Sequence, residues 1–192
     1  MGLEYSYPLC EVCNRLLGTF DLEECLSLIV RTVRETLHVK GSSLRLLDGQ
    51  GKRLTLVAAD GLSQAYLEKG PVEVDQSPLD REALEGNVVT ILDATRDPRF
   101  QYPDAASKEG IRSLLCVPLR IGKRPIGVLR AYTSEPHLFT EEEIRVLYTL
   151  ACHGAAVIEN VRLREHVQKD YDQLLAEVGS WYEWVHRSGR LQ

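Results

Sequence analysis

Two arginines interrupt apolar runs of the chain, where a charged side chain is unexpected. Arg45 lies within residues 43–47, and Arg130 lies within residues 126–133. On neighbouring strands, two guanidinium groups facing the same way would favour an anion such as phosphate or carboxylate. Tyr132 shares the face of Arg130 by the two-residue alternation of a strand, so its ring could stack on a base or another planar ligand.

A structural role for the same two arginines is the alternative. Arginine is rarely buried without a carboxylate partner. Both side chains could therefore reach loop carboxylates such as Asp93 or Asp97, or lie at the solvent edge with their apolar stems covering the sheet.

A second group of polar and aromatic side chains lies in the long segment 93–110, which two prolines interrupt. The candidate ligand-binding residues of this segment are Asp93, Arg96, Asp97, Phe100 and Tyr102. Together they could orient a polar ligand beside an aromatic face. The same composition also suits a solvated loop with local Asp–Arg pairs and one aromatic anchor.

The five cysteines are odd in number and scattered through apolar patterns, which predicts reduced thiols and no disulfide framework. Cys10 and Cys13 form a lone CxxC without a second ligand pair, so we place them on the apolar stripe of a helix. Cys116 is near the candidate site, and its strand context predicts an inert thiol. The five histidines fall on terminal helices or connections, and no metal site is assigned.

Periodicity and capping patterns place these residues in an α+β fold, a sheet backed by helices. Helices are predicted over residues 9–17 and after Asp21, and Thr140 with Glu143 has the capping-box spacing that begins a long final helix. The predicted strands cover residues 43–47, 54–59, 72–74, 88–92, 114–119 and 126–133.

The final helix carries a heptad pattern that continues past the predicted sheet. Its candidate inter-subunit contacts are Leu147, Leu150, Val157, Val161, Tyr171, Leu175 and Val178. The pattern predicts a parallel homodimer through a coiled coil. An intramolecular helix that packs on its own sheet and ends at Gly179 in a left-handed cap is the alternative.

The block from 111 to 160 resembles the GAF family of small sensory domains. The resemblance rests on RSLLCVPL at 112–119, IGVL at 126–129, FT at 139–140 and AAVIEN at 155–160. It implies a GAF/PAS-like, mainly antiparallel six-stranded sheet in which the strands of Arg45 and Arg130 are neighbours. Terminal helices would pack on one face and loops would cover the other. The predicted domain is 21–162, with helical extensions at 1–20 and 163–192.

Family members of this kind bind ligands such as cyclic nucleotides, tetrapyrroles, amino acids or metals, but the motifs of the well-defined subgroups are not recognisable here. The phosphodiesterase-type nucleotide motif does not appear. The Cys152–His153 pair lies in the final helix, the wrong place for bilin attachment. Free methionine sulfoxide reductases need several exposed loop thiolates. The cofactor is therefore unknown.

Composition and resemblance together predict a non-catalytic, cytoplasmic sensory or regulatory domain that acts in signal transduction as a helix-linked homodimer. Its expected partners are an unidentified small-molecule ligand and a downstream signalling protein. A net charge of −5 disfavours nucleic acid, and no apolar run approaches a membrane span. The alternatives are an enzyme of the free methionine sulfoxide reductase kind and a purely structural dimerisation module.

Overall fold

The structure of the protein is a computed structural model that describes residues 22–188, with side chains described for residues 22–181. The predicted helix over 9–17, the Cys10–Cys13 pair and the cap at Asp21 lie outside the described residues. Among the described helices, none combines the length and the apolar composition that a membrane span requires.

The described residues form helices around one six-stranded sheet. The α-helices are α1 (Leu22–Leu37), α2 (Gln64–Leu67), α3 (Pro78–Leu84), α4 (Pro103–Glu109) and α5 (Glu141–Ser188). The strands are β1 (Gly41–Leu47), β2 (Arg53–Asp60), β3 (Val72–Glu73), β4 (Val89–Ile91), β5 (Ser113–Ile121) and β6 (Arg124–Thr133). A 3₁₀ turn at Val74–Gln76 precedes α3.

The strand order is β3-β2-β1-β6-β5-β4, and every pairing is antiparallel. This confirms the predicted α+β class and the six strands. In the β1–β6 ladder Ser43 lies opposite Arg130 and Arg45 lies opposite Val128, so the two arginines are diagonal neighbours on one face. A Cβ atom on Gly127 would lie 2.1 Å from the Arg45 carbonyl oxygen, so only glycine allows the two strands to approach this closely.

One face of the sheet is covered by α1 and by the beginning of α5. The buried stripe of α1 consists of Cys25, Leu26, Ile29, Val30 and Val33. Gly154 of α5 packs against Ile29 of α1 and Leu119 of β5. The predicted interface residues Leu147 and Leu150 are fully buried in this same core, so their side chains are not available to a second chain. The periodicity alone did not separate the core stripe of α5 from an inter-subunit seam.

The opposite face is covered by α2, α3, α4 and their connections. A second apolar cluster lies there and includes Leu54 and Val128 of the sheet, Leu79 of α3 and Phe100. Residues 93–110 are not a continuous loop, because α4 occupies their second half and ends at Gly110 in the left-handed conformation.

The chain divides into two compact units, one ending at Val157 and the other beginning at Ile158. Helix α5 is continuous to Ser188, so Gly179 is an internal helical residue and does not form the left-handed cap of the alternative prediction.

Candidate functional site

Arg130 is buried on the sheet face beneath α3, and Asp80 of that helix is its carboxylate partner. The Arg130 Nη2 atom donates a hydrogen bond to Asp80 Oδ1, and the Ser77 hydroxyl donates to Asp80 Oδ2 at 2.6 Å. Arg130 and Asp80 are 2% and 0% exposed. Burial would lower the pKa of Arg130, but the Asp80 carboxylate outweighs it and holds that pKa well above its ordinary value.

Arg45, the second arginine of this face, has no carboxylate partner among the described residues. Its side chain is 1% exposed, and its Nη1 atom donates to the Leu54 carbonyl oxygen at 3.3 Å. Its Nε atom is buried without a hydrogen-bond partner. Burial, followed by repulsion from Arg130, lowers the pKa of Arg45. A buried guanidinium in this state carries an uncompensated desolvation cost.

Two tyrosine side chains, Tyr66 and Tyr132, are buried on the same sheet face as the two arginines. The Tyr132 and Ser43 hydroxyl oxygens are hydrogen-bonded at 2.8 Å. The Tyr66 ring of α2 meets the Tyr132 ring edge-on, with centroids 6.0 Å apart and an interplanar angle of 80°. Both rings are buried in the apolar cluster of this face. The sheet face therefore combines charged groups with aromatic walls.

Lys69, in the connection between α2 and β3, extends its amine into the same region. The Nζ atom lies 3.0 Å from the Tyr66 ring centroid and 5.9 Å from that of Tyr102. It is buried without a hydrogen-bond partner. Desolvation, followed by repulsion from Arg130 and Arg45, lowers the pKa of Lys69 to about 5. The Tyr66 ring would favour an ammonium ion, but burial outweighs it, so the amine is neutral at pH 7.

A cavity of about 500 Å³ opens between α2 and α4, next to the polar cluster. Its lining includes Ser63, Tyr66, Tyr102, Lys108 and Glu109. The Tyr102 hydroxyl donates to the Pro71 carbonyl oxygen at 2.9 Å, and the Ser63 backbone N–H donates to Glu109. Tyr66 contributes both to this cavity and to the buried cluster, so it forms the wall between them.

The acidic residues predicted for the site form local pairs away from the buried arginines. Asp93 accepts hydrogen bonds from the Thr95 backbone N–H and hydroxyl, which lower the pKa of Asp93. Asp97 accepts from Arg99, and this bond lowers the pKa of Asp97. The Arg96 side chain is 86% exposed. This is the solvated-loop alternative, so a ligand role for these three predicted residues has no support in the structure.

The other predicted residues of this region lie closer to the cluster. Phe100 is the buried anchor of the loop, and Tyr102 lines the cavity. Cys116 lies opposite Arg130 in the β5–β6 ladder and is fully buried. Burial raises the pKa of Cys116 to about 12, so it is a thiol at neutral pH.

Sequence reasoning missed Asp80 and Lys69. Ser77, Pro78 and Asp80 have the types and spacing of a helix start, which identifies an N-terminus but not a partner for Arg130. Lys69 precedes Gly70 and Pro71, which mark only a turn. Elsewhere in the part of the chain that the structure describes, no group of three or more His, Cys, Asp or Glu side chains could hold a metal ion.

The second unit exposes a row of apolar side chains on α5. Of the predicted contacts, Val157, the last residue of the first unit, and Val161 are half-buried, whereas Tyr171, Leu175 and Val178 are exposed. The exposed row with alternating spacings of three and four residues consists of Val167, Tyr171, Leu174, Val178 and Trp181. We call these five residues the α5 stripe.

A profile of the GAF domain matches residues 20–159. The chain belongs to the GAF domain family. Two curated proteins are similar in sequence to this GAF domain. The formate hydrogenlyase transcriptional activator of Salmonella typhimurium is 21% identical over 88% of the chain. The dual 3′,5′-cyclic-AMP and -GMP phosphodiesterase 11A of Takifugu rubripes is 31% identical over 73% of the chain. The chain spans only 25% and 17% of their respective lengths.

Solved structures share the fold of this GAF domain. The GAF domain of a phosphoenolpyruvate-protein phosphotransferase from Coxiella burnetii has a TM-score of 0.76 at 23% identity, over 85% of this chain and 98% of the other. The free methionine-R-sulfoxide reductase of Neisseria meningitidis, solved with its substrate, has a TM-score of 0.69 at 20% identity, over 83% and 91%. At these identities the likeness establishes the fold alone.

Proposed function

We propose that this GAF domain is a non-catalytic regulatory domain that binds a small molecule at the sheet face beneath α2 and α3. One observation carries the proposal: the Nε atoms of Arg45 and Arg130 and the Nζ atom of Lys69 are buried beside the apolar cluster of this face without a hydrogen-bond partner. Unpaired buried polar groups are costly, and a bound molecule would satisfy them. The adjacent cavity behind Tyr66 and Tyr102 gives such a molecule a route.

We further propose that the signal leaves the domain through α5 in a cytoplasmic homodimer. The α5 stripe has the spacing of coiled-coil seam positions, which pair with identical positions of a second copy. Its members are 45% to 67% exposed, a large apolar area for one helix face. Ligand binding would shift the population between two helix arrangements and so act on a downstream signalling protein.

A paired experiment on the full chain tests the proposed function. Thermal shift with a metabolite library of neutral, cationic and anionic compounds measures ligand binding, because a ligand that binds only the folded state raises the melting temperature. Size-exclusion chromatography with light scattering measures the mass. We expect a dimer and at least one stabilising compound; a monomer that no compound stabilises would contradict the proposal.

The α5 stripe has a matched pair of variants. Leu174→Lys places a charge in the proposed seam and should convert the dimer to a monomer, because a buried unpaired charge is strongly unfavourable. Gln173→Lys adds the same charge at the adjacent position outside the stripe and should leave the dimer intact. If the two variants have the same mass in solution, the α5 stripe does not form the dimer interface.

A further inference from the structure

We propose that the ligand of this site is a small oxyanion, a carboxylate or a phosphate, held between Arg45 and Arg130 with Lys69 as a third donor. This inference rests on the proposed function and assigns a chemical class to the ligand. It follows from the charge of the cluster, from the kind of atoms left unpaired, and from the difference between the two arginines.

The buried cluster carries an excess of positive charge. Arg45 and Arg130 keep their protons at any physiological pH, and Asp80 is the carboxylate that contacts one of them. With the Lys69 amine neutral, one positive charge remains without a counter-ion. Isolated buried charges are strongly disfavoured, so a monoanion would neutralise the cluster and a dianion would do so if Lys69 took up a proton.

The unpaired atoms at the cluster match an acceptor. A guanidinium Nε–H can only donate, and the Lys69 amine, neutral in the free protein, becomes a donor only when it takes up a proton. Arg45 Nε, Arg130 Nε and Lys69 Nζ are all buried and unpaired, and so is the Tyr66 hydroxyl, which can donate as well as accept. A carboxylate or phosphate offers several acceptor lone pairs in a compact group and forms the stronger, charge-assisted hydrogen bonds with such donors. A neutral or cationic ligand would leave the excess charge in place.

The two arginines differ in their partners, and this difference assigns a structural role to Arg130 and a binding role to Arg45. Arg130 is held by Asp80, which is itself oriented by Ser77. Arg45 has only the 3.3 Å contact with the Leu54 carbonyl oxygen. An arginine kept for the apo fold is expected to have a carboxylate partner. We therefore assign Arg45 to ligand binding: the anion would supply the counter-ion and the hydrogen-bond acceptor that Arg45 lacks.

The cavity lining includes Tyr66 but none of Arg45, Arg130 and Lys69, so a ligand in the cavity would reach the arginines only if Tyr66 or the Lys69 turn moved. The Lys69 amine lies over the Tyr66 ring, and the same ring lines the 500 Å³ cavity. Lys69 precedes Gly70, whose φ of 99° belongs to a turn between short elements. Displacement of this one turn would bring a ligand from the cavity to the arginines while leaving the sheet unchanged.

Proton uptake by Lys69 is the signature of this arrangement. The groups that act on the amine are Arg130 and Arg45, which oppose its protonation, and Asp80 and Glu109, which favour it, with the Tyr66 and Tyr102 rings beside it. A bound anion adds a third favourable charge and raises the pKa of Lys69. Binding then takes up a proton, so affinity falls by up to about tenfold per pH unit as pH rises above 5.

Isothermal titration calorimetry on the full chain in chloride-free buffer tests the inference. The probes are acetate, succinate and inorganic phosphate, and acetamide is the neutral control. We expect at least one anion to bind and acetamide not to bind. Arg45→Met should lower the affinity for that anion by at least about tenfold, because charge-assisted hydrogen bonds are lost. Lys123→Met removes an exposed cation from the turn between β5 and β6, outside the cavity lining, and should leave the affinity unchanged.

Lys69→Met is the second variant, and it decides the question if Arg45→Met does not fold. It should bind the anion more weakly at pH 6 and should lose the pH dependence of acetate binding, because acetate itself stays ionised above pH 6. Equal anion affinity in wild type and both variants would overturn the inference, and so would the absence of binding by every anion. If a neutral library compound binds and none of the anions does, the assignment of the ligand as an anion is wrong. The proposed function, binding of a small molecule, is then still supported.

Discussion

Lys69→Met tests whether the amine is neutral in the folded protein. Methionine keeps a flexible stem of similar length and removes the ionisable group. In the unfolded chain the lysine has its ordinary pKa of 10.5, whereas burial beside two arginines lowers the pKa of Lys69 in the folded protein to about 5. Folding at pH 7 therefore releases a proton, and this deprotonation costs free energy that the methionine variant does not lose.

The magnitude follows from the distance between pH 7 and the ordinary pKa of Lys69. At about 1.4 kcal/mol per pH unit, the upper limit of the cost at pH 7 is about 5 kcal/mol. The stem is half-buried and can bring the amine towards water, which relieves part of the cost. We expect the variant to be more stable than wild type by about 1 to 3 kcal/mol at pH 7.

The sign of the pH dependence is specific. Because the unfolded lysine holds a proton that the folded amine lacks, wild-type stability gains a positive contribution as pH rises from about 5 towards 10.5. The variant lacks this contribution, so its advantage should shrink between pH 6 and pH 9. Urea unfolding monitored by circular dichroism measures both proteins, and Lys108→Met serves as the exposed-lysine control.

A Lys69→Met variant that is less stable than wild type at pH 7 would refute the reasoning. So would an advantage that stays constant from pH 6 to pH 9, because the gain would then come from packing and not from a proton. The Lys108→Met control should change stability by less than about 0.5 kcal/mol, as exposed substitutions do.

Two further predictions concern the buried cluster. Asp80→Asn leaves Arg130 without its counter-ion and should lower the free energy of unfolding by about 3 to 5 kcal/mol, as urea unfolding would measure. Asp93→Asn in the half-exposed loop is the control and should cost less than about 1 kcal/mol. Equal costs for the two variants would contradict a buried Arg130–Asp80 ion pair. Cys116, with its pKa raised to about 12, should resist a thiol reagent at pH 8 in the native protein while the exposed Cys152 reacts, as peptide mapping would reveal. Thiol-dependent reduction of methionine sulfoxide that Cys116→Ser abolishes would contradict the inert thiol and favour the enzyme alternative.

The sheet was predictable from sequence because its strands are short apolar runs bounded by glycine. Residues 114–119 and 126–133 fall within β5 and β6, and the interruption of two such runs by arginine identified the charged face. Strand alternation and the family resemblance were enough to place Arg45, Arg130 and Tyr132 together. Strand alternation is a local property, and the neighbouring position of β1 and β6 follows from the family resemblance. Both can therefore be inferred from a single sequence.

The partners of these residues were not predictable, because they come from a separate layer. Asp80 is 50 positions from Arg130, and its spacing from Ser77 is that of an ordinary helix start. Asp93 and Asp97 looked equally suitable by type, but each finds a hydrogen-bond donor two residues away and stays in its loop. Whether an aspartate pairs with a nearby donor or with a distant arginine depends on the backbone geometry around it. That geometry cannot be inferred from residue types alone.

The stripe on α5 shows the same limit for the helix. Core burial and coiled-coil pairing both use spacings of three and four residues, so one heptad assignment covered two different faces. Leu147 and Leu150 are in the core, while Val167 and Leu174, exposed members of the stripe, fall outside the predicted heptad positions.

The most direct measurement of the central claim is the Nε–H resonance of Arg45 in protein labelled with ¹⁵N-arginine. The Arg45→Met variant assigns the resonance by its disappearance. On titration with acetate, succinate or phosphate, we predict that this resonance moves and saturates with the affinity found by calorimetry, because the buried Nε–H gains an anionic acceptor. An anion that binds while the Arg45 resonance stays in place, or a resonance that no anion moves, would contradict the account.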